Sequence, residues 1–439
     1  MSRRLAALSA LPLLSLTLAA CGAPSSGDRS PASSAATFTS AGSSTKAASI
    51  AGRSCPAQVA NALGEVAGRI YHEASSGADV AEAVHRVQSS SALAQAISSD
   101  NASAADAALR ALQAGQIVRI EIVKGSRVFA SAGSGRAIAP VRGPIAGTDA
   151  RFVLSTQADE AFTQVTRQVT GADVLLLAGA KPAASRARPI ASTLAGGALP
   201  GKIPTSGELE YANRKYEVTS LAGALYPAGA LRIALLAPSA GAHCPALGEQ
   251  TRIETLGHVG ERIYQEEAHS SYVQATVRHI EADTSFQQAV ADRELPAIRA
   301  AIVSFFAAHI HVVRVRVYAV APSGAQRFLY DLGGPYVLAP VHGAVHSAGK
   351  LVGRFSMAIQ DDAGYVKLAH RFTGADVLMR RGTTQVMGTL APGPARVPER
   401  GALEYAGKRY EAYSFTGEAF PSGPLRISLL VPSRRSAGG

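Results

Sequence analysis

From residue 251 to 291 apolar side chains recur at spacings of three and four, through Ile253, Leu256, Val259 and Ile263. That period predicts one long helix. The matching pattern in the first half of the chain runs over 57–98. A shorter helix is expected over 295–308. Residues 309–320 alternate and are rich in β-branched residues, which predicts a strand. Gly324, Gly333, Gly334 and Pro335 then mark turns. Further strands are expected over 350–360 and 386–390. Between them, 362–372 reads as a short helix capped by Asp361 or Asp362. Three strands close the pattern at 401–405, 408–415 and 424–431, with Gly407 in a tight hairpin between the first two. A long helix leading into a mainly antiparallel sheet, with one short inserted helix, is an α+β layout.

This layout occurs twice. Gly68-Arg69-Ile70-Tyr71 returns as Glu261-Arg262-Ile263-Tyr264, and Ala139-Pro140-Val141 as Ala339-Pro340-Val341. Thr170-Gly171-Ala172-Asp173-Val174 returns as Thr373-Gly374-Ala375-Asp376-Val377. Glu210-Tyr211-Ala212 returns as Glu404-Tyr405-Ala406, and Leu231-Arg232-Ile233 as Leu425-Arg426-Ile427. The order is collinear and the period is far too long for a solenoid, so the chain carries a duplicated domain. We place the two copies at 55–239 and 244–433.

The N-terminus follows a different pattern. Arg3 and Arg4 precede an apolar run over 5–20 that is too short to span a membrane comfortably and fits a signal peptide over 1–20. The run ends Leu18-Ala19-Ala20-Cys21-Gly22, which resembles the lipobox of bacterial lipoproteins at each of its four positions. That resemblance implies acylation of Cys21 and a lipid-anchored protein on the extracytoplasmic face. Two or three acyl chains suffice for stable anchoring, at about 0.8 kcal/mol per buried methylene. Residues 22–54, rich in Ser, Ala, Thr and Gly, read as a flexible tether. With Cys21 acylated, Cys55 and Cys244 remain, each opening a repeat with Cys-Pro-Ala. An even pair in an oxidising compartment is expected to form a disulfide.

Composition narrows the function classes. Net charge is +11, falling to +9 without Arg3 and Arg4, but the basic residues are scattered and no basic stripe carries interleaved aromatics. Nucleic acid is therefore not expected as a partner, and weak attraction to an anionic envelope surface fits better. No Gly-x-Ser-x-Gly elbow, phosphate loop or metalloprotease histidine pair occurs, so no enzyme activity and no cofactor are expected. His309 and His311 share a face of the strand expected at 309–320, with His342 and His346 later, yet nothing fixes a closed metal-ligand set. Asp361-Asp362 could serve as acid and base, but capping is the commoner work of Asp at a helix start.

The second repeat carries Leu329-Tyr330-Asp331-Leu332-Gly333-Gly334-Pro335-Tyr336-Val337-Leu338-Ala339-Pro340, then Ser356-Met357-Ala358-Ile359-Gln360-Asp361-Asp362-Ala363-Gly364-Tyr365 and the Tyr405–Tyr410 hairpin. Together with the element order, these stretches resemble the Cache-type extracytoplasmic sensor domains, which have a PAS-like fold. The resemblance implies two tandem PAS-like domains, each a long helix on a sheet, and a ligand pocket between the sheet and the loops after its central strands. We expect small-molecule binding in the second repeat, around Arg314, Tyr318, Tyr330, Asp331, Tyr336 and His342. Tyr offers apolar area with a hydroxyl, and glycines let backbone approach a ligand. Arg314, which recurs as Arg119, could hold a carboxylate or could be an ordinary exposed strand residue. The matching stretch of the first repeat, 129–141, is mostly Ala, Ser and Gly and reads as structural. The function expected is sensing or presenting a ligand and passing the signal to a membrane-protein partner. The alternative is a structural envelope lipoprotein making protein contacts only.

Overall fold

The computed structural model describes residues 54–433, except 114–115, 180–187, 195–201, 241, 243, 245–247, 310, 335–336 and 421–422. The expected signal peptide, the expected tether up to residue 53, Cys21, for which acylation is expected, and the candidate Tyr336 lie outside the described residues. The first repeat opens with α1 (Cys55–Ser76), α2 (Ala78–Gln88), α3 (Ser91–Ser98) and α4 (Ala102–Gln113). It continues with β1 (Arg119–Lys124), β2 (Arg127–Gly133), β3 (Ala137–Ile138), β4 (Val141–Pro144), β5 (Ala150–Ser155) and β6 (Gln157–Ala158). It closes with α5 (Asp159–Thr170), β7 (Asp173–Ala178), β8 (Arg188–Ser192), β9 (Ser206–Tyr211), β10 (Arg214–Ala224) and β11 (Ala230–Pro238). The second repeat has the same order: α6 (Glu249–His269), α7 (Ser271–Ala282), α8 (Thr284–Asp292), α9 (Leu295–Ala308), β12 (Arg314–Val320), β13 (Gln326–Gly333), β14 (Val337–Leu338), β15 (Val341–Ser347), β16 (Lys350–Ala358) and β17 (Gln360–Asp361). Then come α10 (Asp362–Thr373), β18 (Asp376–Arg381), β19 (Thr384–Gly388), β20 (Arg400–Tyr405), β21 (Lys408–Phe420) and β22 (Gly423–Pro432). The α+β class is as expected.

The single long helices expected over 57–98 and 251–291 are each broken into three. Local caps outcompete helix continuation at the breaks. Ser270 accepts from the Val273 amide at 3.3 Å, and Asp283 accepts from the Phe286 amide at 2.7 Å. In the first repeat the chain turns at Gly77, whose ψ is 174°, and Ser90 caps α3 through the Leu93 amide. The strand expected from His309 begins only at Arg314, because α9 ends on His309.

Each repeat builds an outer and an inner antiparallel sheet where one was expected, and in the first repeat β3 and β6 form a separate two-stranded pair. The outer sheets run β2-β1-β5-β4 and β13-β12-β16-β15. One face of each packs beneath the short helices: Ile120, Ile122 and Phe152 meet Val87, Ile97 and Leu109, while Val315, Val317 and Phe355 meet Val277, Phe286 and Ile302. The inner sheets run β8-β7-β11-β10-β9 and β17-β14-β21-β22-β18-β19, with β20 on β21. Each inner sheet has a small cluster of its own, around Tyr216 and Tyr410, but its helix side shares one core with the other repeat. Leu63, Val66 and Ile70 of α1, Phe162 of α5, Leu256 and Ile263 of α6 and Val366 of α10 belong to one buried cluster. The same cluster takes Leu176 and Ile233 from one inner sheet and Val377 and Leu429 from the other. Two sheets thus enclose a shared layer of four helices.

The repeated motifs are the fastenings of that layer. Tyr71 and Tyr264 accept hydrogen bonds from the amides of Ala224 and Glu418, at 2.7 and 2.8 Å, tying each long helix to its own sheet. Thr170 and Thr373 bond back to the carbonyls of Thr166 and Ala369, and Gly171 and Gly374 end α5 and α10 with φ of 71° and 68°. Such a left-handed residue favours Gly. Across the repeats, the Arg262 guanidinium lies over Gly171 and that of Arg69 over Gly374. Each cation meets the negative end of the other repeat's helix dipole, and a Cβ at either glycine would collide with it. Arg252 pairs with Glu65 at 3.0 Å and Arg371 with Glu73 at 3.5 Å, again between repeats. Cys55 and Cys244 are joined in a disulfide with Cα atoms 5.9 Å apart. Tyr211 and Tyr405 occupy the same place in both repeats, at the end of a strand that turns back through Ala212-Asn213 or Ala406-Gly407, all at positive φ.

One residue departs from this symmetry. Glu267 of α6 occupies the position of Ala74, a member of the shared core. Burial, with a smaller push from Glu266, raises its carboxyl to about 7. A carboxyl with a folded value above its unfolded one is stabilised protonated, so its penalty is absent near pH 4, grows through the interval up to 7 and is complete above it. Glu267→Gln should therefore stabilise the protein at pH 8, by about 3 kcal/mol at most, with the gain vanishing near pH 4. Urea unfolding midpoints of both proteins at the two pH values check this.

Candidate functional site

β12 alternates strictly between half-buried and buried residues. Val315, Val317 and Ala319 face the short helices, so Arg314, Arg316 and Tyr318 share the other face. Cross-strand register adds Asp331 opposite Arg316 on β13, Ser356 opposite Arg316 on β16, and His342 opposite Ser356 on β15. Four of the expected residues, Arg314, Tyr318, Asp331 and His342, are therefore on one sheet face. Tyr330 is not. It pairs with Val317 and packs against the helix-side core. A bulge between Val317 and Tyr318 turns Leu329 and Tyr330 inward together, while Phe328 and Asp331 remain on the open face.

Asp331 is the hub. Arg314 donates to both its oxygens, Nε to Oδ1 at 2.8 Å and Nη2 to Oδ2 at 2.7 Å, and Arg314 Nη1 donates to the Gly334 carbonyl at 2.8 Å. Arg316 donates to Oδ2 through Nε at 2.9 Å and Nη2 at 2.5 Å. Both guanidiniums lie over the Phe420 ring, at 5.4 and 5.2 Å from its centroid. Tyr318 meets Phe328 edge-on at 6.2 Å, and His342 Nδ1 bonds Ser356 at 2.9 Å. Burial acts to raise the Asp331 carboxyl, but the hydrogen bonds and charges of Arg314 and Arg316 outweigh it and hold it below the usual carboxylate range. The first repeat keeps the frame and changes the charges. Arg119 lies 4.9 Å from the Tyr226 ring centroid, Glu121 replaces Arg316, and Ser131 replaces Asp331.

Arg316, Phe328 and Phe420 were not anticipated. Arg316 carries a readable signal, two residues from Arg314 on an alternating strand. Phe420 carries none, since it reaches the site from the end of the inner sheet. The histidines do not converge: His309 lies against His279 and His311 against Tyr272, on the helix side, away from His342. Among the described residues no group of three or more His, Cys, Asp or Glu could hold a metal ion. Asp361 caps α10, accepting from the Gly364 amide at 2.5 Å. An open hollow of about 560 Å³ lies elsewhere, in the first repeat, lined by Ser75, Pro140, Arg142 and Gly229.

Removing the Asp331 charge would leave two guanidiniums facing each other. Asp331→Asn should cost about 2 kcal/mol at pH 7. Because the folded value of Asp331 is depressed, its contribution is complete above the unfolded carboxylate value and fades as pH falls through the folded one. Thermal melts of the two proteins should accordingly converge as pH is lowered below 3.8.

No family model matches the chain, and no curated protein matches it. Solved structures are similar to parts of it. The ligand-binding domain of the Pseudomonas aeruginosa PAO1 amino acid chemoreceptor PctC, in complex with GABA, is 15% identical over 41% of this chain and 99% of that one, with a TM-score of 0.25. The ligand-binding domain of the Pseudomonas fluorescens chemoreceptor CtaA, in complex with L-serine, is 12% identical over 41% of this chain and 98% of that one, with a TM-score of 0.22. An extracellular ligand binding receptor from Desulfohalobium retbaense is 12% identical over 52% of this chain and 47% of that one, with a TM-score of 0.26.

Proposed function

We propose that this protein is a membrane-anchored, extracytoplasmic, non-enzymatic recognition protein whose second repeat binds a small carboxylate-bearing ligand on the open face of its outer sheet. The observation carrying this reading is the shared Asp331: two guanidiniums divide one carboxylate, so the cluster keeps a surplus positive charge. The Phe420 ring and the Gly334 carbonyl fix its geometry. A pre-positioned planar cation beside Tyr318 suits a carboxylate better than a flexible surface charge would. The first repeat, with Arg119 beside Glu121 at 4.0 Å, keeps no such surplus and is assigned a structural part. Attachment through acylated Cys21 would hold the protein at the membrane, where a membrane-protein partner would receive the signal. A second reading, protein docking, is favoured by Val128 and Phe328, which are 50% and 55% exposed at the same repeat position on the edge strands β2 and β13.

Amino acids and dicarboxylates titrated calorimetrically into the full chain should yield at least one that binds. Arg316→Gln should then weaken it by about tenfold or more, which is about 1.4 kcal/mol, while Arg119→Gln leaves it unchanged. Equal affinity for the wild type and Arg316→Gln would remove the assignment. For the anchor, Cys21→Ser is expected to move the protein from the membrane fraction to the soluble one after a high-salt wash, followed by immunoblotting of both fractions.

A further inference from the structure

The hollow of about 560 Å³ in the first repeat lies where three parts of the molecule meet. The last turn of α1 contributes Ser75, the edge strand β4 contributes Val141 and Arg142, and the turn from β10 to β11 contributes Ala228 and Gly229. Backbone hydrogen bonds fix the turn against the chain leading into β4. The Ala139 amide donates to the Ala224 carbonyl at 3.0 Å, and the Tyr226 amide to the Ala137 carbonyl at 3.0 Å. The Leu225 amide closes the turn on the Gly229 carbonyl, also at 3.0 Å. The hollow is therefore built into the folded frame. Its volume falls within the range of about 300–1,000 Å³ that is common for small-molecule sites.

Its walls are of two kinds. Pro140, Val141, Ala224 and Ala228 offer hydrocarbon, and Arg142 offers a cation. Arg142 Nη2 donates to the Pro227 carbonyl at 2.9 Å, which holds the guanidinium at the turn. Across the ladder Arg142 stands opposite Val153, not an acid. Among the described residues it forms no ion pair, so the guanidinium keeps donors for a ligand. The second repeat keeps the frame and changes the lining. There the Ala339 amide donates to the Glu418 carbonyl at 3.1 Å, so Glu418 stands in the place of Ala224. His342 stands in the place of Arg142 and is engaged by Ser356 across the ladder, at 2.9 Å. One repeat thus sets a methyl group and a cation at this point, and the other sets a side chain that carries its own carboxylate.

We propose that this hollow binds a short-chain monocarboxylic acid, with its carboxylate on Arg142 and its hydrocarbon tail against Pro140, Val141, Ala224 and Ala228. A guanidinium held in place presents paired donors that match a carboxylate. The apolar wall gives the tail a place out of water, which a dicarboxylate or a sugar acid could not use. The bound acid would touch the end of α1, the edge of the outer sheet and the β10–β11 turn at once. The site lies apart from the Asp331 face of the second repeat, and it stands or falls independently of the function proposed for that face.

The experiment titrates sodium butyrate and sodium hexanoate into the full chain by calorimetry and thermal shift, against sodium chloride at matched ionic strength and against butyramide, which keeps the tail and lacks the charge. At least one acid should bind the wild type and butyramide should not. Arg142→Gln should weaken the acid about tenfold or more. Ala224→Glu, which copies the second repeat, should abolish binding by setting a carboxylate in the ligand's place. Absence of binding to the wild type, or undiminished binding by a folded Arg142→Gln, overturns the proposal. A loss caused by Arg316→Gln in place of Arg142→Gln puts the acid on the Asp331 face and overturns it as well. Should Arg142→Gln fail to fold, Ala224→Glu decides: unchanged affinity overturns the proposal.

Discussion

The packing of α1 against α6, and of each against the other repeat's short helix, is the constraint on which the rest of the molecule hangs. Neither inner sheet has a helix layer of its own large enough to cover it. Each borrows from its twin, through Ile70 and Ile263 in the core and through Arg69 and Arg262 at the rim. The outer sheets, by contrast, have complete private cores under α2–α4 and α7–α9. The molecule is therefore a shared centre with two outlying modules, and those modules can differ in surface chemistry without touching the shared core.

They do differ, and the differences are in charge more than in shape. The backbone frame around Arg119 and around Arg314 is the same, down to a glycine opposite each arginine at Gly133 and Gly333. On that frame one repeat sets a Glu beside its Arg, and the other sets a second Arg and a cross-strand Asp. The same holds at the junction between the sheets, where Arg136 faces one repeat's aspartate and Tyr336 holds the corresponding place in the other sequence. After duplication, such exchanges cost little in the fold because they sit outside the shared core.

Much of this was legible in the sequence. The duplication, the α+β layout, the short helix behind Asp361 and the hairpin at Gly407 all rest on local signals that the chain keeps: apolar period, a capping aspartate, a positive-φ glycine. The helix breaks at Ser270 and Asp283 were not legible, because apolar spacing runs on through them while the caps act on single amides. The division into two sheets was hidden, because alternation marks a strand but not its partners, and β3 and β14 are only two residues long. The common core could not be read at all. Periodicity says that Leu256 is buried but not against what. At the site, Arg314 and Asp331 were found by residue type. Tyr330 was misplaced because neighbours on a strand face opposite ways and a bulge shifts the register beside it.

The Cys55–Cys244 bond spans 189 residues of sequence, so it closes the entire first repeat into a covalent ring. Viewed mechanically, this gives the chain two routes from its N-terminal stretch to α6. One winds through every strand of the first repeat. The other crosses two sulfur atoms. Tension applied ahead of Cys55 takes the short covalent route into the second repeat, and the strands of the first repeat lie off that path. A pull on the leading end would thus be felt near the start of α6, with the ring of the first repeat left out of the covalent load path.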